Sequence, residues 1–169
     1  MIFVTGGTGL VGAHVLLKLA QKNKDFKALK RISSSFDICK RIFHYYNADD
    51  LFDKINWTEG DINDIPSLEH AMQDCNLLLH CAGIVSFSSK DIELLKKINI
   101  EGTENVMNVA LDIGIKKACF VSSIATLGRH SDFGNIDEEC YFKATKIDSN
   151  YALSKYFSEQ EVWRASAEG

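Results

Sequence analysis

Gly6, Gly9 and Gly12 stand three residues apart between two stretches of opposite character. Before them, Ile2-Phe-Val-Thr5 is an apolar run too short for a buried helix. After them, Leu10, Val11, Val15, Leu16, Leu19 and Ala20 recur at helical spacing to about Lys22. The segment therefore reads as strand, glycine turn and helix. Glycine permits the tight turn, lets a ligand approach the backbone, and lets helix and strand pack closely. The helix that follows offers unpaired amides and the positive end of its dipole, an arrangement suited to a diphosphate. The plainer alternative is a glycine-rich turn that binds nothing.

The alternation continues along the chain. Strands are expected at Phe26–Arg31, Asn56–Gly60, Leu77–Cys81 and Ala118–Ser122. Helices are expected over 36–46, with Ile38, Ile42, Phe43 and Tyr46 on one side, and over Ile65–Gln73, where Pro66 occupies the first turn. A long helix should run from Asp91 to about Ile113, closed by Gly114, and a last one should span 150–166, with Trp163 packed. Leu127 to Ser149 reads mostly as loop. Strands alternating with helices predict an α/β fold, a doubly wound parallel sheet with right-handed crossovers and helices on both faces. No linker marks a second domain within residues 1–169. The chain halts where the alternation calls for a sixth strand, which would leave the fifth at a sheet edge.

Composition narrows the function classes. At 169 residues one domain can bury roughly 70% of its unfolded surface. A formal charge of -4 gives no electrostatic case for nucleic acid or an anionic membrane. No segment approaches a membrane span, and the first strand leaves no room for a signal peptide, so a cytoplasmic location is expected. The five cysteines show no metal-ligand spacing; Cys75, Cys81 and Cys119 lie in or beside apolar runs and read as buried, reduced thiols. No metal site is expected.

The end of the second strand bears on which dinucleotide the turn would accept. A carboxylate there suits a ribose 2′-hydroxyl, whereas a cation suits a 2′-phosphate. The residues are Lys30 and Arg31, followed by Ser33, Ser34 and Ser35, with no carboxylate beside them in sequence. This favours NADP over NAD, with Arg31 as the leading contact and Lys30 and Ser33 in support. The alternative is a solvated pair of surface cations.

Tyr151 and Lys155 stand four apart in the last expected helix and so share a face. A neighbouring cation favours an ionised phenol, which makes such a pair a candidate acid–base group. On its own the spacing is common; with the glycine turn and the serines Ser122 and Ser123 it suggests an enzyme.

Several motifs, in this order, resemble the extended short-chain dehydrogenase/reductase family: Thr5-Gly-Gly-Thr-Gly-Leu-Val-Gly12, Gly60-Asp-Ile62, His80-Cys-Ala-Gly83, Asn99-Ile-Glu-Gly-Thr-Glu-Asn-Val106, Ser122-Ser123 and Tyr151-x-x-x-Lys155. That family includes nucleotide-sugar epimerases and dehydratases, dihydroflavonol-reductase-like enzymes and hydroxysteroid dehydrogenases. The resemblance implies a Rossmann-type NAD(P)-binding domain, with the family's C-terminal substrate region beyond this chain. It implies that Tyr151 is the general acid–base, that Lys155 tunes it and binds the nicotinamide ribose, and that Ser123 hydrogen-bonds the reacting oxygen, with Ser122 as fallback. Asn99 would position the lysine through water. Cofactor contacts would come from Gly6, Thr8, Gly9, Leu10, Val11, Gly12, Lys30, Arg31, Asp61, Ile62, Cys81, Ala82 and Gly83, together with Tyr151 and Lys155. Asn99 also reads as a helix-surface residue, Asp61 as a turn former and either serine as a cap. Ile84–Ser89 resembles a substrate-side loop in which Phe87 packs on an apolar substrate or covers the cofactor.

Three functions follow. The first is an NAD(P)-dependent oxidoreductase transferring a hydride to or from a ketone, aldehyde or secondary alcohol. The second is a nucleotide-sugar epimerase or dehydratase, and the third a non-catalytic NAD(P)-sensing module. The resemblance also implies a homodimer formed through the 91–113 and 150–166 helices.

Overall fold

The computed structural model describes residues 1–127, 136–140, 142–145 and 148–169. Five parallel strands form one sheet in the order β3-β2-β1-β4-β5. They are β1 (Ile2–Thr5), β2 (Phe26–Lys30), β3 (Asn56–Glu59), β4 (Leu77–His80) and β5 (Lys117–Phe120). The order reverses direction at β1, which pairs with β2 on one side and β4 on the other. Such a switch point opens a crevice at the carboxyl ends of the strands.

Alternation along the strands sends successive side chains to opposite faces. Phe3, Leu29 and Leu78 face a core shared with Leu68 and Met72 of α4 (Ile65–Met72) and Val106 and Val109 of α6 (Gly102–Ile113). Val4 and Ala28 face the opposite core with Leu16 and Leu17 of α1 (Leu10–Gln21) and Cys39 and Phe43 of α2 (Asp37–Tyr45). Phe3 and Val4 are each 0% exposed, so the central strand is covered on both faces.

Several expectations shift. Leu10 and Val11 were grouped with the apolar face of α1, yet they are 63% and 50% exposed. They occupy the first turn, and burial falls to Ala13, Leu16 and Leu17 further along the helix. On α2 the buried stripe is Cys39, Ile42 and Phe43, while Ile38 and Tyr46 face outward. A short α3 (Asp49–Phe52), not expected from the sequence, follows. Trp163 lies exposed on α7 (Asn150–Glu168) rather than packed.

The fifth strand starts one residue earlier than expected and stops at Phe120, which frees Val121, Ser122 and Ser123 as a strand-end segment. It lies at the sheet edge with Lys117, Ala118 and Cys119 exposed, so Cys119 is not the buried thiol its apolar neighbours suggest. Cys39 and Cys75 are buried and Cys81 is half-buried.

The 91–113 region is helical but not uniform. Residues Ser89–Asp91 form a 3₁₀ turn, α5 spans Ile92–Leu95, and Lys96–Glu101 widen into a π-helical turn before α6. Asn99 sits in that turn, 1% exposed. Such widened turns re-aim one side chain within a helix. Gly114 ends α6 in the left-handed conformation, with φ of 80°. Among the described residues no helix is long and apolar enough to cross a membrane, and no cluster of histidine, cysteine or carboxylate side chains could hold a metal ion.

Candidate active site

The glycine turn is shaped by two close approaches. Gly6 has φ of 70°, and a Cβ there would lie 2.5 Å from the Ala82 nitrogen. A Cβ at Gly12 would lie 2.1 Å from the Gly6 oxygen. Side chains at these positions would break the turn; without them bare backbone faces outward. The first intrahelical bond of α1 runs from the Ala13 amide to the Gly9 carbonyl at 2.9 Å, so the amides of Leu10, Val11 and Gly12 precede the ladder. The first turn of α1 carries no acidic residue to compete for them. This backbone fits a diphosphate.

A cavity of about 230 Å³ opens beside the turn. It gathers Gly6, Thr8, Gly9, Lys30, Arg31, Asp61, Ile62, Cys81, Ala82 and Gly83 around one space. Leu10, Val11, Gly12, Tyr151 and Lys155 lie outside this lining. Leu29, Ser34, Gly60, Ile84 and Ile98 complete the wall, none of them among the cofactor contacts expected from the sequence. Ser34 rather than Ser33 reaches it: the Ser34 hydroxyl accepts from the Arg31 amide at 3.1 Å, folding the chain back into a turn. Ser33 lies in a neighbouring depression.

The two cations at the β2 end differ. Lys30 faces Glu59 across the β2–β3 pairing and its ammonium lies 3.5 Å from that carboxylate. The acid missing from the linear sequence around Lys30 is thus supplied by the next strand. Arg31 is exposed at the cavity rim and, among the described residues, has no carboxylate partner. Asp61 accepts from the Asn63 backbone and side-chain amides at 2.9 and 3.2 Å, so it forms its turn and lines the cavity at once.

Beneath the cavity runs a buried polar chain. His80, 0% exposed, bonds Thr5 Oγ1 at 2.6 Å through Nδ1 and Thr103 Oγ1 at 3.1 Å through Nε2. Thr5 Oγ1 also accepts from the Ala82 amide at 3.2 Å. The ends of β1 and β4 are thereby tied to each other and to α6. Burial, reinforced by the Lys155 charge, pulls the His80 pKa down to about 3, so the ring is neutral. Burial pushes the Cys81 thiol up to about 11.

Ser149 caps α7, accepting from the Ala152 amide at 3.1 Å, and this places Tyr151 in the first turn. The Tyr151 ring meets Phe87 edge-to-face with centroids 5.7 Å apart. Lys155, only 5% exposed, donates to the Val121 carbonyl at 2.9 Å and lies 4.0 Å from the centroid of the Phe120 ring. Desolvation lowers its pKa from 10.5 to about 8, opposed by the charge of Glu159.

Ser123 caps a 3₁₀ turn, Ile124–Thr126, accepting from the Ala125 amide at 3.1 Å. Its hydroxyl proton has no acceptor among the described residues. Ser122 instead donates to Glu159. Of the two serines, Ser123 is the one left able to donate.

Asn99 is spent on structure around the site. Its side-chain oxygen accepts from the Ile84 amide at 2.8 Å. Its amide donates to the Ile84 carbonyl at 3.0 Å and to Ser154 Oγ at 2.9 Å. Its backbone carbonyl accepts from Ser158 at 2.7 Å. Asn99 therefore pins the 84–89 loop to α7. Sequence reasoning missed Ser154, Ser158 and Glu159; their spacing on the Lys155 face of α7 was the available signal.

The chain matches the 3-beta hydroxysteroid dehydrogenase/isomerase family over residues 3–168. It is 36% identical to a putative dihydroflavonol 4-reductase of Synechocystis over 99% of this chain and 45% of that protein. It is 28% identical to a UDP-glucose 4-epimerase of Vibrio cholerae over 95% of this chain and 45% of that protein. In fold it superposes on a short-chain dehydrogenase/reductase superfamily protein of Agrobacterium tumefaciens, solved with bound NAD. The TM-score there is 0.80 at 21% identity, over 100% of this chain and 46% of that one. The chain spans about half the length of the curated relatives it matches. With its glycine turn, switch-point cavity and Tyr151–Lys155 helix on one parallel sheet, this chain belongs to the 3-beta hydroxysteroid dehydrogenase/isomerase family.

Proposed function

We propose that the protein is an NADP-preferring oxidoreductase acting on a ketone, aldehyde or secondary alcohol. The observation that carries this reading is Lys155: a buried ammonium, one helical turn from Tyr151, beside the neutral His80 whose successors line the cavity. A buried cation with a lowered pKa is costly for folding and is characteristic of sites that handle protons.

The nicotinamide, when bound, supplies the hydride chemistry. The glycine turn and the α1 amides hold the diphosphate, and Arg31 takes the 2′-phosphate that distinguishes NADP. Tyr151 gives or accepts the proton at the substrate oxygen. Ser123 donates its free hydroxyl proton to that same oxygen as charge develops. Lys155 holds positive charge behind the phenol and binds the nicotinamide ribose. Asn99 keeps the 84–89 loop, and with it Phe87, against Tyr151.

Purified protein carrying Tyr151→Phe tests the reading. It should bind NADPH as wild type does and lose nearly all turnover of carbonyl substrates. Turnover by Tyr151→Phe equal to that of wild type would sink the catalytic assignment, whereas NADPH binding with no turnover even by wild type would fit a dinucleotide sensor instead. The likeness to a UDP-glucose 4-epimerase favours one second reading, transient use of the cofactor by an epimerase or dehydratase. It predicts turnover without net NADPH consumption. A homodimer through the 91–113 and 150–166 helices and a cytoplasmic location belong to the same proposal; sedimentation showing only monomer at micromolar concentration would count against the dimer.

A further inference from the structure

We propose that Glu159 is a positioning residue for the proton-transfer group, fastening the Ser123-bearing turn to α7 and holding Lys155 in its charged form. This rests on the oxidoreductase reading above, and goes beyond it by assigning a residue that touches neither substrate nor cofactor.

Glu159 follows Lys155 by one helical turn and Tyr151 by two, so the three share one face of α7. One oxygen of its carboxylate accepts from the hydroxyl of Ser122 and lies 3.1 Å from that of Thr126. These residues flank Ser123 on both sides. Thr126 is buried, and its hydroxyl also lies 2.7 Å from the Ser123 carbonyl. An ionised carboxylate only accepts, so it suits the Ser122 donor, while the single Thr126 proton stands between the carboxylate and the Ser123 carbonyl and serves one of them at a time. The serine and the tyrosine–lysine pair come from different elements, separated by the long 127–149 connection. Glu159 reaches from the helix that carries the pair to residues on either side of Ser123, alongside the bond from Lys155 to the Val121 carbonyl.

The same carboxylate acts on Lys155 through space. Around the ammonium, β4 presents the neutral His80, and the β5 end presents the Phe120 ring and the Val121 carbonyl. On its own helix stand Tyr151 and Glu159. Packed against α7, the 92–113 segment carries Glu93, Lys96, Lys97, Glu101, Glu104 and Asp112, all exposed, with Lys96 and Glu101 paired at 3.6 Å. Glu159 is the charge that opposes desolvation of Lys155.

The test is direct titration of the Lys155 side chain by NMR of its Cε, which needs neither substrate nor turnover. Glu159→Gln keeps an acceptor for both hydroxyls but removes the charge, and should lower the Lys155 midpoint by about half a unit or more. Glu159→Ala should also speed hydrogen exchange of the Ala125 amide, which bonds Ser123, by about tenfold. Glu101→Gln, which removes an exposed carboxylate from the neighbouring segment, should leave the midpoint unchanged. A midpoint in Glu159→Gln within about 0.2 units of wild type overturns the proposal. Should wild-type protein fail to bind NADPH, the functional reading falls while the Lys155 titration still decides the role of Glu159.

Discussion

Lys155 and Val121 are joined by a 2.9 Å hydrogen bond from the ammonium to the backbone carbonyl, which ties the centre of α7 to the end of β5. That carbonyl belongs to the first residue beyond the last β4–β5 pairing. The bond holds the ammonium inside the protein, where desolvation brings its pKa to about 8.

The arrangement should cost stability in the absence of ligand. The unfolded chain holds the Lys155 proton up to about 10.5, the folded chain only to about 8. Between those values the unfolded state binds more protons, so stability rises with pH, and below about 8 the full penalty applies. Lys155→Met should raise stability at pH 7 by about 1–2 kcal/mol in urea unfolding, with the gain shrinking toward pH 10. The lost Val121 bond and ring contact keep the gain below the full penalty.

His80 gives a second pH dependence at the acid end. Its folded pKa of about 3 lies below the ordinary 6.5, so its contribution is complete above 6.5 and is lost as pH falls toward 3. Across that window this one group should remove about 1.4 kcal/mol per pH unit. His80→Gln should flatten the acid limb of a stability–pH profile measured by denaturant unfolding. His80→Leu, which strands the Thr5 and Thr103 hydroxyls, should cost about 1–3 kcal/mol at neutral pH.

The glycines of the turn should separate by experiment. Gly12→Ala drives a Cβ to 2.1 Å from the Gly6 oxygen and should destabilise the chain by about 1–3 kcal/mol and displace the turn. At Gly9 the nearest atom to a Cβ is 3.4 Å away, so Gly9→Ala should stay within about 1 kcal/mol of wild type. Thermal unfolding of the two variants side by side measures the difference.

Among the described residues Arg31 has no carboxylate partner at the cavity rim, whereas Lys30 already faces Glu59. Arg31→Ala should weaken NADPH binding by about tenfold or more and leave NADH binding nearly unchanged. Equal loss for both cofactors, measured by calorimetry, would overturn the assignment of Arg31 to the 2′-phosphate.

Much of the fold was legible because it is written in local patterns. The strand–turn–helix opening, the apolar Leu77–Leu79 run and the glycine after Ile113 each act through residues close in sequence. The errors fell where burial depends on what lies opposite. Leu10 and Val11 fit the period of α1 but stay exposed in its first turn, and Cys119 follows an apolar rhythm on a strand at the sheet edge. Periodicity reports which residues share a face, not whether anything covers it. The site shows the same division: Tyr151 and Lys155 were found from their spacing, whereas Glu159 gains its meaning only from Ser122 and Thr126, more than thirty residues away.

From the residues alone came the alternation of strands and helices, the glycine turn and the shared face of Tyr151 and Lys155, all set by backbone sterics and helical geometry acting over a few residues. Folding in three dimensions decided that Glu59 would meet Lys30, that Asn99 would pin the Ile84 loop, and that Lys155 would be buried against Val121. Those outcomes depend on strand order and register, which bring distant parts of the chain within hydrogen-bond reach and remove them from water.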